Sequence, residues 1–162
     1  GDTIVWPAMA PTIDYEAELA VVIGRVCKDV PIERVNEVIF GYTLANDVTC
    51  REIQKSDGQW SRAKGFDTFC PIGPWIETDF VPGTQRIFST VNDEIRQDGR
   101  LDQMIFSVAD IVVFVSQVMT LLPGDVIITG TPAGIGPLIA RGNVVVGIDG
   151  LGQLTNKVSA KP

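Results

Sequence analysis

The sequence predicts an α+β fold that is rich in β-strand, with a few short helices packed on the strands. Sixteen glycines and ten prolines divide the 162-residue chain into short segments. The apolar segments between them are rich in valine and isoleucine, residue types that are enriched in strands, and only one long segment has helical periodicity. A chain of this length fits one domain, so we expect a single domain over residues 1–162.

Seven strands are predicted from runs of apolar and β-branched residues that are bounded by glycine, proline or polar turn residues. In chain order they span residues 16–23, 39–44, 72–77, 86–91, 126–129, 144–148 and 154–158. The dipeptides Pro82-Gly83 and Asp98-Gly99 are predicted to be turns, because both pairs of residue types are common in turns.

Two helices are predicted. The longer one follows Ser107, a residue type that is favoured as an N-cap. Apolar residues then recur at helical spacing as far as Leu122, and Pro123-Gly124 ends the pattern. The shorter helix is predicted to begin at Thr49, because Thr49 and Glu52 have the spacing of a capping box.

The composition excludes several classes of function. Thirteen Lys and Arg against twenty Asp and Glu give a net charge of −7, which repels nucleic-acid phosphates and anionic lipid headgroups. We therefore expect neither a nucleic acid nor a membrane as partner. No apolar run approaches the roughly 20 residues that cross a bilayer. The absence of histidine excludes Ser-His-Asp and Cys-His triads and histidine-ligated zinc.

The three cysteines, Cys27, Cys50 and Cys70, are odd in number and widely spaced. This pattern favours reduced, buried thiols over a disulfide framework or a zinc cluster. Reduced thiols are typical of an intracellular protein, and the first residues do not have the pattern of a secretory signal. We therefore expect a cytoplasmic location.

Glu16 and Glu18 form the first candidate site. Side chains alternate along a strand, so these two share one face and lie about 6.6 Å apart along the backbone. Their strand continues into an apolar stretch, so we expect that face to be partly buried. Two buried carboxylates repel each other, and a divalent cation would remove this cost. The alternative is an edge strand with both glutamates in water.

Asp47 follows a predicted strand and precedes a predicted helix, at a junction of the kind where functional residues often gather. Together with Glu16 and Glu18 it would complete an all-oxygen ligand set, which Mg²⁺, Mn²⁺ and Ca²⁺ prefer. The alternative is that Asp47 only stabilises the N-terminus of the helix.

Four further residues are candidates for substrate contact. Arg51 and Gln54 are three residues apart and share a helix face, where they offer a fork for a carboxylate and a neutral hydrogen-bonding group. Lys64 is framed by aromatic residues and glycine and could act as a point charge in a cleft. Thr131 lies in a loop rich in glycine and proline that could bind a small anion. The alternatives are a solvated surface for the first three residues and an ordinary turn for the last.

These motifs, in this order, resemble the fumarylacetoacetate hydrolase family over Asp14 to about Val158. The resemblance implies a mixed β-sandwich roll that assembles as a homodimer. It also implies a bound divalent cation, Mg²⁺ with Mn²⁺ or Ca²⁺ as alternatives. The motifs that carry the resemblance are Glu-x-Glu, Asn-Asp, Arg-x-x-Gln, Ala-Lys-Gly-Phe-Asp and Thr-Gly-Thr-Pro.

Residue by residue, the resemblance implies that Glu16, Glu18 and Asp47 look like the metal ligands of the family. The positions that look like substrate contacts are Arg51, Gln54, Lys64 and Thr131, and Lys64 also looks catalytic. Members of the family usually carry an upstream segment with a His and a Glu that activate water. The chain has no His, so we expect it to lack this N-terminal lid and to hydrolyse substrates poorly without it.

The function that the resemblance implies is a metal-dependent reaction of a small 2-oxo acid or 1,3-dicarbonyl dicarboxylate. Cleavage of a C–C bond through an enolate, by acylpyruvate hydrolysis or oxaloacetate decarboxylation, is the first hypothesis. An isomerase of 2-hydroxyhepta-2,4-diene-1,7-dioate or 5-carboxymethyl-2-hydroxymuconate in aromatic catabolism is the alternative. A third hypothesis is a β-rich assembly protein without catalysis, in which the carboxylates hold a structural ion or no metal.

Overall fold

The structure, a computed structural model, describes residues 1–162 and confirms the α+β class. The strands are β1 Thr3–Ile4, β2 Asp14–Tyr15, β3 Ala17–Ile23, β4 Ile39–Asn46, β5 Ile72–Glu77, β6 Arg86–Val91, β7 Glu94–Arg100, β8 Val126–Ile128, β9 Gly136–Pro137, β10 Asn143–Ile148 and β11 Gly152–Val158. The α-helices are α1 Arg51–Asp57, α2 Ser61–Lys64 and α3 Val108–Val118. Short 3₁₀ helices span Ile32–Glu37 and Leu101–Gln103.

The strands form two large sheets and one small one. The five-stranded sheet has the order β1-β11-β10-β6-β7, with β1 parallel to β11 and the other pairs antiparallel. The four-stranded sheet has the order β5-β4-β3-β8 and is antiparallel throughout, and β2 pairs only with β9. Strand β3 is therefore an inner strand, and all seven of its residues are buried.

Two apolar clusters hold these elements together. The larger cluster includes Leu19 of β3, Val146 of β10 and Val112 of α3, so it joins both large sheets to the long helix. The smaller cluster includes Ile53 of α1 and Phe69, which fix the short helices against the rest of the fold. Burial of such side chains stabilises the fold by roughly 1.5–3 kcal/mol each relative to exposure.

The seven predicted strands are all present, and those at 72–77 and 86–91 have the predicted bounds. The prediction of a turn at Asp98-Gly99 is wrong, because both residues lie inside β7. The chain turns instead at Asn92 and Asp93, which both have positive φ angles, a conformation that Asn and Asp tolerate better than most residues. Gly99 serves close packing, since a Cβ there would lie 3.0 Å from Cβ of Pro132.

Helix α3 begins as predicted but ends a turn earlier. The Ser107 hydroxyl accepts a hydrogen bond from the backbone N–H of Asp110, whose carboxylate accepts one from the Ser107 N–H. The apolar pattern continues to Leu122, yet the helix ends at Val118. The reason is that Leu121 forms a β-bridge with Cys27, which requires an extended backbone.

We expect Ser107→Ala to lower the free energy of unfolding by about 1 kcal/mol, because the N-terminus of α3 loses its cap. For a protein of this size the melting temperature should fall by roughly 2–4 °C. Thermal melts followed by circular dichroism would measure the change. Ser61→Ala, at an exposed serine, is the control and should leave the melting temperature unchanged.

The predicted capping box at Thr49 and Glu52 is wrong. Helix α1 begins at Arg51, two residues after Thr49, and no side chain caps it. The Thr49 hydroxyl donates a hydrogen bond to the backbone oxygen of Asp47, and Glu52 accepts one from Thr12. The local spacing is correct for a cap, but the Thr49 hydroxyl contacts Asp47 and Lys64 instead, and the Glu52 carboxylate contacts Thr12.

All three cysteines are unpaired, as predicted, but they are not all buried. Cys50 is buried, Cys27 is half-buried, and Cys70 is exposed. The expectation of a buried thiol is therefore wrong for Cys70, which follows the buried Phe69 between α2 and β5. None of the helices combines the length and the apolar character needed to cross a bilayer.

Candidate functional site

Three carboxylates from β3 and the end of β4 come together in the structure. One ligand atom each of Glu16, Glu18 and Asp47 lies within 4.8 Å of the others. The three residues are 7%, 3% and 7% exposed, respectively. The alternative of an edge strand with both glutamates in water is therefore wrong. The structure brings the three residues together as expected, and their role as metal ligands stays a prediction.

The local backbone explains why the three carboxylates meet. Glu16 lies between β2 and β3, where the ladder is interrupted, and its N–H donates to the side-chain oxygen of Asn46 at 3.0 Å. The N–H of Asp47 donates to the backbone oxygen of Glu16 at 3.0 Å. These two bonds tie the start of β3 to the end of β4, so both ligand-bearing segments are fixed relative to each other.

Two cations contact this cluster. The Lys64 ammonium donates to Glu16 Oε2 at 3.0 Å and to the Asp47 carboxylate. Arg51 donates to Asp14 Oδ2 at 2.9 Å and to the Glu16 carboxylate. The alternative role of Asp47 as a helix cap is wrong, because its carboxylate binds Lys64 and lies outside α1.

Glu18 is the carboxylate without a contacting cation. It accepts a hydrogen bond from the backbone N–H of Gly130 at 2.6 Å. Burial raises its pKa to about 7; the Gly130 N–H opposes the shift, and the negative charges of Asp47 and Glu16 add to it. The metal-free site is therefore short of positive charge at Glu18.

The pKa values of Asp47 and Lys64 are also shifted from their ordinary values. Burial raises the pKa of Asp47, although the hydrogen bond from Lys64 opposes the shift. Burial alone would lower the pKa of Lys64, but hydrogen bonds to Asp47 and Glu16 raise it overall. Lys64 therefore remains charged and partly neutralises the cluster at neutral pH.

The donor set of the site fits a hard divalent cation. Every candidate ligand atom is a carboxylate oxygen, and the three side chains project into one buried place. Mg²⁺, Mn²⁺ and Ca²⁺ all prefer such oxygen ligands. Glu16 and Asp47 each contact a cation of the protein, whereas Glu18 contacts none.

Arg51, Gln54 and Lys64 also lie at this site. Arg51 donates a hydrogen bond to Gln54 Oε1 at 2.9 Å, so the predicted shared helix face is confirmed. The side chains of Arg51 and Lys64 are only 20% and 22% exposed. A fully solvated surface is therefore the wrong description of both cations. Whether they contact a substrate stays a prediction.

Thr131 is close to the site but its hydroxyl is already used. It donates to the backbone oxygen of Ala17 at 2.8 Å and accepts from Gln97 Nε2 at 2.7 Å. Toward a substrate this hydroxyl could therefore only accept a hydrogen bond. The neighbouring N–H of Gly130 is also occupied, by Glu18. The loop is thus anchored to the ligand strand, which an ordinary surface turn would not be.

Four residues of the site are not identified by the sequence analysis: Asp14, Asn46, Thr49 and Gln97. Asp14 pairs with Arg51, and Thr49 accepts from Lys64 at 2.9 Å. Asn46 adjoins Asp47 in the sequence and could have been suspected from that position alone. Gln97 lies on β7, one of the four strands that the sequence analysis did not predict, and no local signal identifies it.

A cavity of about 440 Å³ borders the loop that contains Gly130 and Thr131. It is lined by Leu19, Gly130, Thr131 and mainly apolar residues of the segment 101–106. Leu19 and Glu18 are adjacent on β3, so their side chains point to opposite faces of the sheet. The carboxylate cluster therefore does not open into this cavity.

The chain matches a family described as fumarylacetoacetate (FAA) hydrolase, C-terminal, over residues 1–159. Among curated proteins it is similar to one from Mycobacterium tuberculosis, with 51% identity over 158 residues that cover 96% of this chain and 60% of that protein. The chain therefore spans about three fifths of the length of this relative.

Solved structures are also similar to nearly the whole of this chain. A 5-carboxymethyl-2-hydroxymuconate delta-isomerase from Mycobacterium smegmatis is 49% identical, with a TM-score of 0.98 over 100% of this chain and 64% of that one. A 2-hydroxyhepta-2,4-diene-1,7-dioate isomerase from Mycobacterium marinum is 52% identical, with a TM-score of 0.97 over 99% and 64%. A fumarylacetoacetate hydrolase from Exiguobacterium antarcticum is 42% identical, with a TM-score of 0.95 over 99% and 61%.

Proposed function

The chain belongs to the fumarylacetoacetate hydrolase family, and on this premise we propose that it is a divalent-metal-dependent enzyme. It acts on a small 2-oxo acid or 1,3-dicarbonyl dicarboxylate and breaks a C–C bond, by acylpyruvate hydrolysis or oxaloacetate decarboxylation. The observation that carries this proposal is the buried cluster of Glu16, Glu18 and Asp47, whose ligand atoms lie within 4.8 Å of one another.

We assign the roles in this reaction as follows. Glu16, Glu18 and Asp47 hold the cation, Mg²⁺ with Mn²⁺ or Ca²⁺ as alternatives. A bound cation would polarise the substrate oxygens and stabilise the enolate. Lys64 and Arg51 supply the local positive charge that a dianionic substrate needs in a protein with a net charge of −7.

Gln54 and Thr131 complete the proposed substrate contacts. Gln54 lies beside Arg51 and offers an amide N–H₂ group to a neutral substrate oxygen. Thr131 offers its remaining lone pair to a substrate hydroxyl. The homodimer implied by the family resemblance is also a proposal.

An isomerase is the second candidate, and the similarity to the two mycobacterial isomerases favours it. Both are about half identical to this chain and superimpose over nearly all of it. Isomerisation and C–C cleavage both pass through an enolate and differ in whether a proton or a carbon group leaves. The proposed substrates are then the dienedioates or muconates of aromatic catabolism.

Turnover measurements test both candidates. Oxaloacetate, an acylpyruvate and 5-carboxymethyl-2-hydroxymuconate would each be followed by ultraviolet absorbance with the whole protein and Mg²⁺. We expect turnover of at least one of them, its loss after chelation, and its recovery when Mg²⁺ is returned. Absence of Mg²⁺-dependent turnover for all three substrates would contradict the proposal.

Mg²⁺ affinity should rise with pH by about tenfold per unit below pH 7 and level off above about pH 8. The reason is that Glu18 has a pKa near 7 in the metal-free fold and must lose its proton to act as a ligand. Calorimetric titrations at pH 6 in two buffers of different ionisation enthalpy should show about one proton released per ion. An affinity that does not change between pH 5.5 and 8 would show that metal binding releases no proton from Glu18 and would contradict this prediction.

A further inference from the structure

Gln97, in the middle of β7, has a side-chain amide whose hydrogen-bonding positions are all used. Its residue is 0% exposed. Its Oε1 accepts from the Ala17 N–H at 3.0 Å and from the Ser89 hydroxyl at 2.9 Å. Its Nε2 donates to Thr131 Oγ1 at 2.7 Å and to the Pro132 backbone oxygen at 2.8 Å. All four hydrogen-bonding positions of the amide are therefore satisfied.

These bonds connect the two segments that shape the carboxylate site. Ala17 lies between Glu16 and Glu18, so the acceptor side of the amide holds the ligand strand. Thr131 follows Gly130, whose N–H meets Glu18, so the donor side holds the loop that contacts the same carboxylate. One buried side chain thus contacts both the strand that carries Glu18 and the loop that carries its backbone donor.

The backbone of β7 also contacts this loop directly. Gly134 has a φ of +101°, and a Cβ there would lie 2.3 Å from the backbone oxygen of Arg96. A Cβ on Gly99 would lie 3.0 Å from Cβ of Pro132. Strand β7 therefore packs closely against the loop on both sides of Gln97.

We propose that Gln97 is a positioning residue for the carboxylate site. It holds the β3 strand and the 130–132 loop in one register, so that Glu18 faces Glu16 and Asp47 while it accepts the Gly130 N–H. Residues that orient ligands typically change metal affinity or activity by 10–100-fold when mutated. The part of this proposal that concerns the metal rests on the proposed function. The part that concerns the loop does not.

Two variants separate the contact of Gln97 with strand β3 from its contact with the 130–132 loop. Gln97→Met keeps the length of the side chain and removes all four hydrogen bonds. Gln97→Glu keeps an acceptor for Ala17 and loses the amide donor toward the loop. Ser89→Ala is the matched control, because it removes an equally buried bond to Oε1 and leaves Gln97 attached to both segments. Melting temperatures would be recorded for all three.

Hydrogen exchange of the segment 129–134 and calorimetric Mg²⁺ titration are the two readouts. In both Gln97 variants we expect the backbone N–H groups of this segment to exchange at least about tenfold faster. Gln97→Met should also bind Mg²⁺ about 10–100-fold more weakly. Only Gln97→Met should also speed the hydrogen exchange of the Ala17 N–H, because only this variant lacks its acceptor. Ser89→Ala should match the wild type in both readouts.

Wild-type exchange and Mg²⁺ affinity in a folded Gln97→Met variant would overturn the proposal. If the wild type itself binds no Mg²⁺, the proposed function fails, and the exchange of the loop still decides the role of Gln97. If neither variant folds, the unmutated protein supplies the test: both side-chain amide protons of Gln97 must exchange slowly with water. Rapid exchange of either proton would overturn the proposal.

Discussion

Replacing Glu18 with glutamine is expected to abolish Mg²⁺ binding and, at the same time, to make the metal-free protein more stable at pH 8. Glutamine keeps an oxygen for the Gly130 N–H, so the local hydrogen bond survives. It removes the charge that the cation needs, and a weakening of at least about 100-fold is expected because an ionised ligand is lost.

The gain in stability follows from the pKa of Glu18, which burial raises from 4.5 to about 7. Between these two pH values the unfolded chain has lost the proton and the folded chain keeps it, so stability falls as the pH rises and stays low above pH 7. The full difference corresponds to about 3 kcal/mol at 1.36 kcal/mol per unit. Glutamine avoids this cost, and the melting temperature at pH 8 should rise by roughly 6–12 °C.

Calorimetric Mg²⁺ titration and thermal melts at pH 5 and pH 8 would measure both effects. The rise in melting temperature should be present at pH 8 and much smaller at pH 5, where Glu18 is protonated in the folded protein. Glu33→Gln, at an exposed position, is the control and should change neither property. A variant that binds Mg²⁺ like the wild type would show that Glu18 is not a ligand.

The parts of the fold that depend on local pattern could be predicted from the sequence. Strands β5 and β6 are apolar or β-branched between clear turn residues, and their bounds are correct. Strand β7 has the sequence EIRQDGR, in which Ile95 is the only apolar side chain, so nothing local marks it as a strand. It forms because the turn at Asn92 and Asp93 returns the chain along β6.

The candidate site also has a part that could be predicted from local sequence and a part that could not. Glu16 and Glu18 could be predicted because alternation along a strand is a local property. The identity of the group that each carboxylate contacts could not, because Lys64 and Gly130 come from other parts of the chain. Gln97 could not be found for the same reason. Its function depends on three segments that meet only in the folded protein.

Replacing Lys64 with methionine is expected to reduce turnover by at least about 100-fold without weakening Mg²⁺ binding. In the metal-free protein the ammonium contacts Glu16 and Asp47, two of the proposed ligands. A positive charge at this place opposes the approach of a second cation, so its removal should leave Mg²⁺ affinity unchanged or higher. Turnover should fall because the positive charge that we propose contacts the substrate is lost.

The metal-free variant should also be less stable than the wild type, since Glu16 and Asp47 lose a partner that partly neutralises them. Mg²⁺ should therefore raise the melting temperature of Lys64→Met by more than it raises that of the wild type. Lys55→Met, at an exposed lysine of α1, is the control for the loss of one positive charge. If Lys64→Met folds but loses Mg²⁺ binding, the ammonium organises the ligands, and its proposed contact with the substrate is wrong.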